Sequence, residues 1–236
     1  MDYIWKPKTS LEKFGERIYN LLVENFSQTF FVGGMVRDLL LNRKIVDIDI
    51  TTSAKPNEVI NLLSQKGFRV DRSYIKFGTI IVVSGGGVIE VTTLRKDSPG
   101  NNRYPYVTFI SSPKIDSERR DFTINSLYLS LKDNKILDFQ NGLKDIKTKR
   151  LRFIGKATQR ITQDPLRIIR AFRFALTLNF KLDKPTLKLL KNNFYLTKNL
   201  TALRTQKEIN KLKNTKQKNI LKKVLSNPKL LDKYFK

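Results

Sequence analysis

The spacing of apolar residues divides the chain into a mixed first part and a helical second part. Helical spacing predicts a helix from Leu11 to Phe26, capped by Ser10. Another short helix is predicted at residues 58–66, ended by Gly67. Apolar runs and period-2 alternation predict strands at residues 30–32, 46–50, 79–83 and 88–93. Strands and helices together favour an α/β fold with a mixed sheet and flanking helices over residues 1–150.

The second part lacks strand patterns. From Gln159 the apolar residues recur at helical intervals, and Asp164 can cap a helix in which Pro165 fits the first position. We expect an all-helical region over residues 151–200 and a short, basic helical end over residues 201–236.

A glycine turn connects the first predicted strand to a helix. The apolar run 30–32 is followed by Gly33 and Gly34, and residues 35–41 have helical character. Backbone N–H groups at such a helix start point at an anion, and Arg37 lies one turn further on. We therefore predict that Gly33, Gly34 and Arg37 bind phosphate.

Two carboxylates follow this turn. Alternation over residues 46–50 puts Asp47 and Asp49 on one face of a strand, with Cα atoms roughly 6.5 Å apart. Such a pair can hold one or two hard cations of the kind used in phosphoryl transfer. The alternative is a solvated edge strand, but the glycine turn just upstream favours a site.

The net charge indicates a polyanionic partner. Lys and Arg number 46 against 21 Asp and Glu, a formal charge of +25, which favours nucleic acid over the alternative of a membrane surface. No stretch is long enough for a transmembrane helix, and the opening residues lack a signal peptide's apolar core, so we expect a cytoplasmic protein without membrane partners.

Because Cys and His are absent, a catalytic metal must be oxygen-liganded, such as Mg²⁺.

Three motifs carry a resemblance to a known family. Residues 33–41 with Asp47-Ile-Asp49 resemble the first motif of the tRNA nucleotidyltransferase and bacterial poly(A) polymerase family, the class II CCA-adding enzymes. Residues 118–126 are similar to the family's Arg-Arg-Asp-Phe-Thr-x-Asn-Ala, and residues 164–174 to its Glu-Asp-x-x-Arg helix. The resemblance covers roughly residues 12–212 and implies a nucleotidyltransferase head at 1–150, a helical neck at 151–200 and a truncated body at 201–236.

The second motif is expected to bind the nucleotide. Arg120 would bind triphosphate oxygens, while Asp121 and Asn125, four apart on one helical turn, could share a ribose hydroxyl. The alternative is a helix that merely begins with charged residues. Glu90 could be a third acidic member of the metal site, as the resemblance implies, or a pairing partner for Arg95.

The third motif is expected to choose the base. By resemblance, Asp164 and Arg167 act as an amino-acid template that accepts C or A and rejects U and G, although Gln163 stands where the family has Glu. Arg167, Arg170 and Arg173 form a basic stripe that would bind the nucleotide, the alternative being a solvated basic face. The polar segment 96–105 resembles the family's flexible loop used in nucleotide switching.

The resemblance implies metal-dependent addition of C and A nucleotides from CTP and ATP to the 3′ end of tRNA, with Asp47, Asp49 and Glu90 catalytic and Mg²⁺ on Asp47 and Asp49. Alternatives are a poly(A) polymerase, a partial CC-adding or A-adding enzyme, and a basic RNA-binding protein whose acids are structural. Lysines at the helical end could bind the phosphates of the RNA backbone. The alternative is a solvated helix whose lysines bind nothing.

Overall fold

The computed structural model describes residues 1–98 and 106–235, which form two compact units. The first comprises the described residues of Met1–Arg120 together with Ile124–Leu143. The second comprises Asp121–Thr123 and the described chain from Lys144 onward. The division into residues 1–150, 151–200 and 201–236 stays a prediction.

The first unit holds the strands and the helices between them. Its strands are β1 (Thr29–Val32), β2 (Ile48–Thr52), β3 (Arg69–Asp71), β4 (Thr79–Ser84), β5 (Gly87–Thr93), β6 (Arg95–Ser98), β7 (Tyr106–Phe109), β8 (Leu127–Ser130) and β9 (Lys135–Asp138). Its helices are α1 (Ser10–Asn25), α2 (Gly34–Leu40), α3 (Pro56–Gln65) and α4 (Pro113–Glu118).

Helices make up the second unit. The chain enters it within α5 (Gly142–Lys147). The helices that follow are α6 (Ala157–Gln163), α7 (Leu166–Leu178), α8 (Lys184–Asn192), α9 (Ala202–Asn210), α10 (Thr215–Ser226) and α11 (Leu231–Tyr234). Phe172 of α7 lies in the core, with Phe194 and Phe235 at ring distances of 6.3 and 4.7 Å.

A mixed sheet organises the first unit, as predicted. In the described residues its strand order is β3-β4-β5-β2-β1-β8-β9. Strands β2 and β5 are parallel, and the other neighbours are antiparallel. The turn between β4 and β5 is a tight hairpin, closed by the pairing of Ser84 with Gly87. Strands β6 and β7 form a separate two-stranded sheet.

Strand β1 is buried on both faces, so its residues 30–32 form a continuous apolar run rather than an alternating pattern. On one face, Phe31 packs against Tyr19 of α1 and against Trp5. On the other face, Phe30 and Tyr128 meet edge to face at 5.9 Å. This packing fixes the end of β1, where the glycine turn begins.

Local details differ from the predictions. Helix α1 is capped by Thr9 rather than Ser10, because the Thr9 hydroxyl accepts from the Glu12 N–H while the Glu12 carboxylate accepts in return from Thr9. Strand β2 begins at Ile48, so Val46 stays 47% exposed instead of facing the core. Within the predicted loop 96–105, residues 96–98 belong to β6, and residues 99–105 lie outside the described residues.

Within residues 1–98 and 106–235, no helix is both long enough and apolar enough to cross a membrane.

Candidate active site

The glycine turn after β1 brings the backbone against an acid and an arginine. Gly33 has φ 78°, a conformation that L side chains rarely adopt. A Cβ placed on Gly33 would lie 3.5 Å from Asp49 Oδ2 and 3.6 Å from Arg120 Nη1. Glycine is therefore required here by the backbone angle, and a Cβ would be in ordinary van der Waals contact with both side chains.

Asp49 lies between two partners in the sheet. It pairs with Val32 of β1 and with Glu90 of β5, and Asp47 precedes the strand at an exposed position. Burial raises the pKa of Asp49 to about 7, with further increases from the charges of Glu90 and Asp47. Arg120 and Arg37 act in the opposite direction. The surroundings of Asp49 therefore disfavour its ionised form, because the two arginines do not offset burial and the neighbouring acids.

A bound hard cation would supply the positive charge that the ionised form of Asp49 requires. Carboxylate oxygens are the ligands that Mg²⁺ prefers, and a cation would favour the ionised form of Asp49. In residues 1–98 and 106–235, no three acidic side chains converge into a preformed metal cluster. The protein would therefore supply few ligands, as is usual where a metal also binds substrate phosphates.

Arg37 is buried and held by neighbours in the first unit. Its Nε and Nη2 donate to the two Asp38 carboxylate oxygens at 3.0 and 2.8 Å, and Nη1 donates to Asn125 Oδ1. The guanidinium folds back over Gly34, since a Cβ there would be 3.4 Å from Nη2. Arg37 thus lies at the glycine turn, and phosphate binding by Arg37 and Gly34 stays a prediction.

Arg120 is fixed along one edge. Its Nε and Nη2 donate to Asp116 Oδ2 at 3.2 and 3.0 Å, and Nε also donates to the Tyr128 hydroxyl at 3.0 Å. Its remaining nitrogen, Nη1, is the one beside Gly33. Sequence reasoning missed Asp116 and Tyr128, although the spacing of Asp116 four residues before Arg120 was a usable signal.

The helical turn predicted at the second motif is wrong. Helix α4 ends at Glu118, and residues Thr123–Asn125 form a single 3-10 turn. The Asp121 carboxylate belongs to the second unit, where it accepts from the Phe122 N–H at 2.8 Å and from Arg170 Nε at 2.7 Å. Asn125 belongs to the first unit. Shared ribose binding by Asp121 and Asn125 stays a prediction.

In the second unit, Asp164 precedes α7. Its Oδ1 accepts from the Leu166 N–H at 3.1 Å, at the start of α7. The predicted cap and first position are both shifted by one residue, because Asp164 is the C-cap of α6 and Pro165 is the N-cap of α7. Both carboxylate oxygens also accept from Arg204 Nη2, at 3.0 and 3.1 Å. This ion pair orients Asp164, and no local pattern in the chain singles out Arg204.

Arg167 is held by the residue that departs from the family pattern. Its Nη1 donates to the Gln163 amide oxygen at 3.2 Å and to the Arg160 carbonyl at 2.9 Å. Gln163 therefore positions Arg167 without the charge of the usual Glu. Base selection by Asp164 and Arg167 stays a prediction.

The other arginines of α7 do not form an open basic stripe. Arg173 is 7% exposed, and its Nε donates to Glu208 Oε2 at 2.6 Å. Its guanidinium also lies 3.8 Å from the Phe174 ring centroid. Arg170 pairs with Asp121 and with Glu208. Arg173 is therefore covered by Glu208 of α9 rather than solvated. Nucleotide binding by Arg170 and Arg173 stays a prediction.

The motifs of the first unit lie within a segment that matches a known family. Residues 29–152 match the family described as the poly A polymerase head domain. The chain belongs to this family. Its members generally use a divalent metal ion.

Relatives and solved structures agree with this membership. The CCA-adding enzyme of Lactobacillus helveticus (strain DPC 4571) is 40% identical over 187 residues, which are 78% of this chain and 46% of that protein. The CCA-adding enzyme of Bacillus stearothermophilus, solved with CTP, superposes with a TM-score of 0.74 at 34% identity, covering 86% of this chain and 48% of that one. The Thermotoga maritima enzyme, solved with tRNA, gives 0.73 at 27% identity, covering 93% and 51%. The chain spans about half the length of the curated relatives it matches.

Proposed function

We propose that this protein adds C and A nucleotides from CTP and ATP to the 3′ end of tRNA, the reaction known as CCA addition. The observation that carries the proposal is the Gly33 turn, where the backbone lies between Asp49 and Arg120. A nucleoside triphosphate is bound well by an acid that could hold a metal ion together with a guanidinium, and both Asp49 and Arg120 lie against this turn. The relatives named above as CCA-adding enzymes support the same reaction.

In this proposal Asp47 and Asp49 hold Mg²⁺, and Glu90 is the third acid of the site. When bound, the metal would activate the attacking 3′ hydroxyl and neutralise the charge of the departing pyrophosphate. Arg120 binds triphosphate oxygens beside Gly33, with Gly34 and Arg37 at the same turn. Because the proposed substrates are nucleoside triphosphates and tRNA, the proposal includes a cytoplasmic location.

Base choice in this proposal lies with Asp164 and Arg167. The carboxylate accepts from the exocyclic amine of C or A, and the guanidinium donates to the neighbouring ring acceptor. U and G present the opposite polarity, so they leave these groups unsatisfied and bind less well.

The test uses tRNA transcripts that end before CCA, after C, and after CC, each incubated with single nucleotides and with all four in Mg²⁺. Sequencing of the products should show every transcript completed to CCA. Runs of A would indicate a poly(A) polymerase, and extension that stops at CC or needs a CC end would indicate a partial enzyme. No extension at all would leave a basic RNA-binding protein. The Asp49→Asn variant serves as the inactive control.

A further inference from the structure

Asp116 of α4 is a fully buried carboxylate, 0% exposed. Burial of a charge is costly unless it is paired and hydrogen-bonded. Its Oδ1 accepts from Arg119 Nε at 2.8 Å and from the Arg95 backbone N–H at 3.1 Å. Its Oδ2 accepts from the Tyr128 hydroxyl at 2.7 Å and from two nitrogens of Arg120. Each carboxylate oxygen thus has its own set of donors.

The Oδ2 contacts determine which part of Arg120 faces the glycine turn. They engage Nε and Nη2, and the guanidinium lies 5.2 Å from the Tyr128 ring centroid. Because Nε and Nη2 are occupied, Nη1 is the nitrogen beside Gly33. Arg119 contacts the other oxygen, Oδ1, and has no part in this orientation.

A second acid competes for Arg120. The positive charge of Arg120 already acts on Asp49, and an arginine prefers a bidentate carboxylate partner. Without Asp116, Arg120 would be drawn onto Asp49. That ion pair would remove the guanidinium from the phosphates and occupy the acid required for the metal.

We propose that Asp116 is a positioning residue for nucleotide binding, which holds Arg120 away from Asp49 and turns Nη1 toward the triphosphate. This inference rests on the proposed function. Asp116 acts through Arg120 and does not itself contact the nucleotide.

The test compares three variants of the full chain, Asp116→Asn, Tyr128→Phe and Arg119→Gln. CTP affinity is measured by calorimetry in Mg²⁺ without RNA, and kcat and KM are measured for addition to a tRNA transcript. Since hydrogen bonds to charged groups are involved, Asp116→Asn should weaken CTP binding about ten- to hundredfold. It should raise KM for CTP while KM for tRNA stays unchanged. Tyr128→Phe should weaken CTP binding by a smaller factor, because it removes the hydroxyl's bonds to Oδ2 and to Arg120 Nε but leaves the Asp116 carboxylate on Arg120.

Arg119→Gln is the matched control, since it removes an ion pair from the same carboxylate at Oδ1. It should reduce stability and leave CTP affinity within about twofold. Equal losses of affinity in Arg119→Gln and Asp116→Asn would show a merely structural role and overturn the inference. If Asp116→Asn does not fold, unchanged CTP affinity in Tyr128→Phe overturns it. A wild-type protein that binds CTP but extends no tRNA would refute the proposed function alone.

Discussion

Asp49 and Glu90 are direct partners across the parallel strands β2 and β5. Paired residues on adjacent strands project from the same face of a sheet, so the two carboxylates are neighbours about 5 Å apart at their backbones. Burial, then the charge of Glu90, raises the pKa of Asp49 to about 7. The fold therefore maintains an unfavourable arrangement of charge at this position.

Asp49→Asn should make the metal-free protein more stable while abolishing nucleotide addition. The substitution removes a partly buried charge and its repulsion with Glu90. The pKa shift corresponds to about 2 to 4 kcal/mol once the partial exposure of the Asp49 side chain is discounted. Thermal unfolding at pH 8 with EDTA should show a higher Tm for the variant. Mg²⁺ should then raise the Tm of the wild type and not that of Asp49→Asn. A lower Tm for the variant in EDTA would contradict this account of the charges.

Gly33→Ala should impair both stability and CTP binding. The backbone of Gly33, at φ 78° and ψ −133°, is essentially restricted to glycine and costs about 1 to 3 kcal/mol for another residue, and the new Cβ would contact Asp49 and Arg120. Gly67 provides the control, because it has the same φ of 78° and a Cβ placed there would meet nothing within 4 Å. Chemical denaturation should show a stability loss in both variants, with weaker CTP binding only in Gly33→Ala. Equal CTP affinity in the two would remove the Gly33 turn from the site.

Arg167→Ala should reduce base selectivity. Loss of the guanidinium held by Gln163 removes a donor to the base, so incorporation of UTP and GTP relative to CTP and ATP should rise about tenfold. Single-nucleotide extension assays measure this ratio. The control is Arg152→Ala, a 47%-exposed arginine paired with Asp145. An unchanged preference among the four nucleotides would exclude Arg167 from the template role.

Glu208→Gln should destabilise the protein at neutral pH, by about 3 kcal/mol, because Arg173 is left buried without its counter-charge. Burial alone would raise the pKa of Glu208, but Arg173, Arg170 and Lys211 lower it below its ordinary value of 4.5. The unfolded state therefore takes up the proton first as pH falls.

The stabilisation by Glu208 is thus complete above pH 4.5 and declines as pH falls through the lower folded-state pKa. Urea unfolding at several pH values should show a constant difference between wild type and Glu208→Gln above about pH 5.5, and a smaller one at pH 3. Glu24→Gln, at an exposed position, should show little difference at any pH. A difference that grows on acidification would refute the ion-pair account.

Lysines at the helical end should contribute to tRNA affinity. Lys213, Lys222 and Lys223 are exposed, whereas Leu221 and Val224 in the same region are buried, so substitution is preferable to deletion. Replacing the three lysines with Gln should weaken tRNA binding and reduce its salt dependence by about 0.7 to 0.9 for each phosphate that is no longer neutralised. Filter binding across a salt series measures both. The matched control replaces three exposed lysines of the first unit, Lys13, Lys66 and Lys132. Equal effects of the two triple variants would show that only net charge matters.

The sequence predicted the main strands and helices of the first unit because their patterns are local. Apolar runs and alternation located β1, β4 and β5, and Gly33 marked the turn that follows β1. The two acids were proposed as a metal site from their spacing together with the glycine turn just upstream, and that role stays a prediction. Each of these features depends on neighbours within a few positions in the chain, which is the range that backbone periodicity covers.

Tertiary structure decided which charges meet. Glu90 lies opposite Asp49 only because β2 and β5 pair in parallel register, and Arg173 is buried only because Glu208 reaches it from α9. The second motif forms no helical turn, since Asp121 pairs with Arg170, 49 positions later. Periodicity cannot predict such partners, because the energy of a buried charge depends on groups that are distant in sequence and adjacent only in the folded chain.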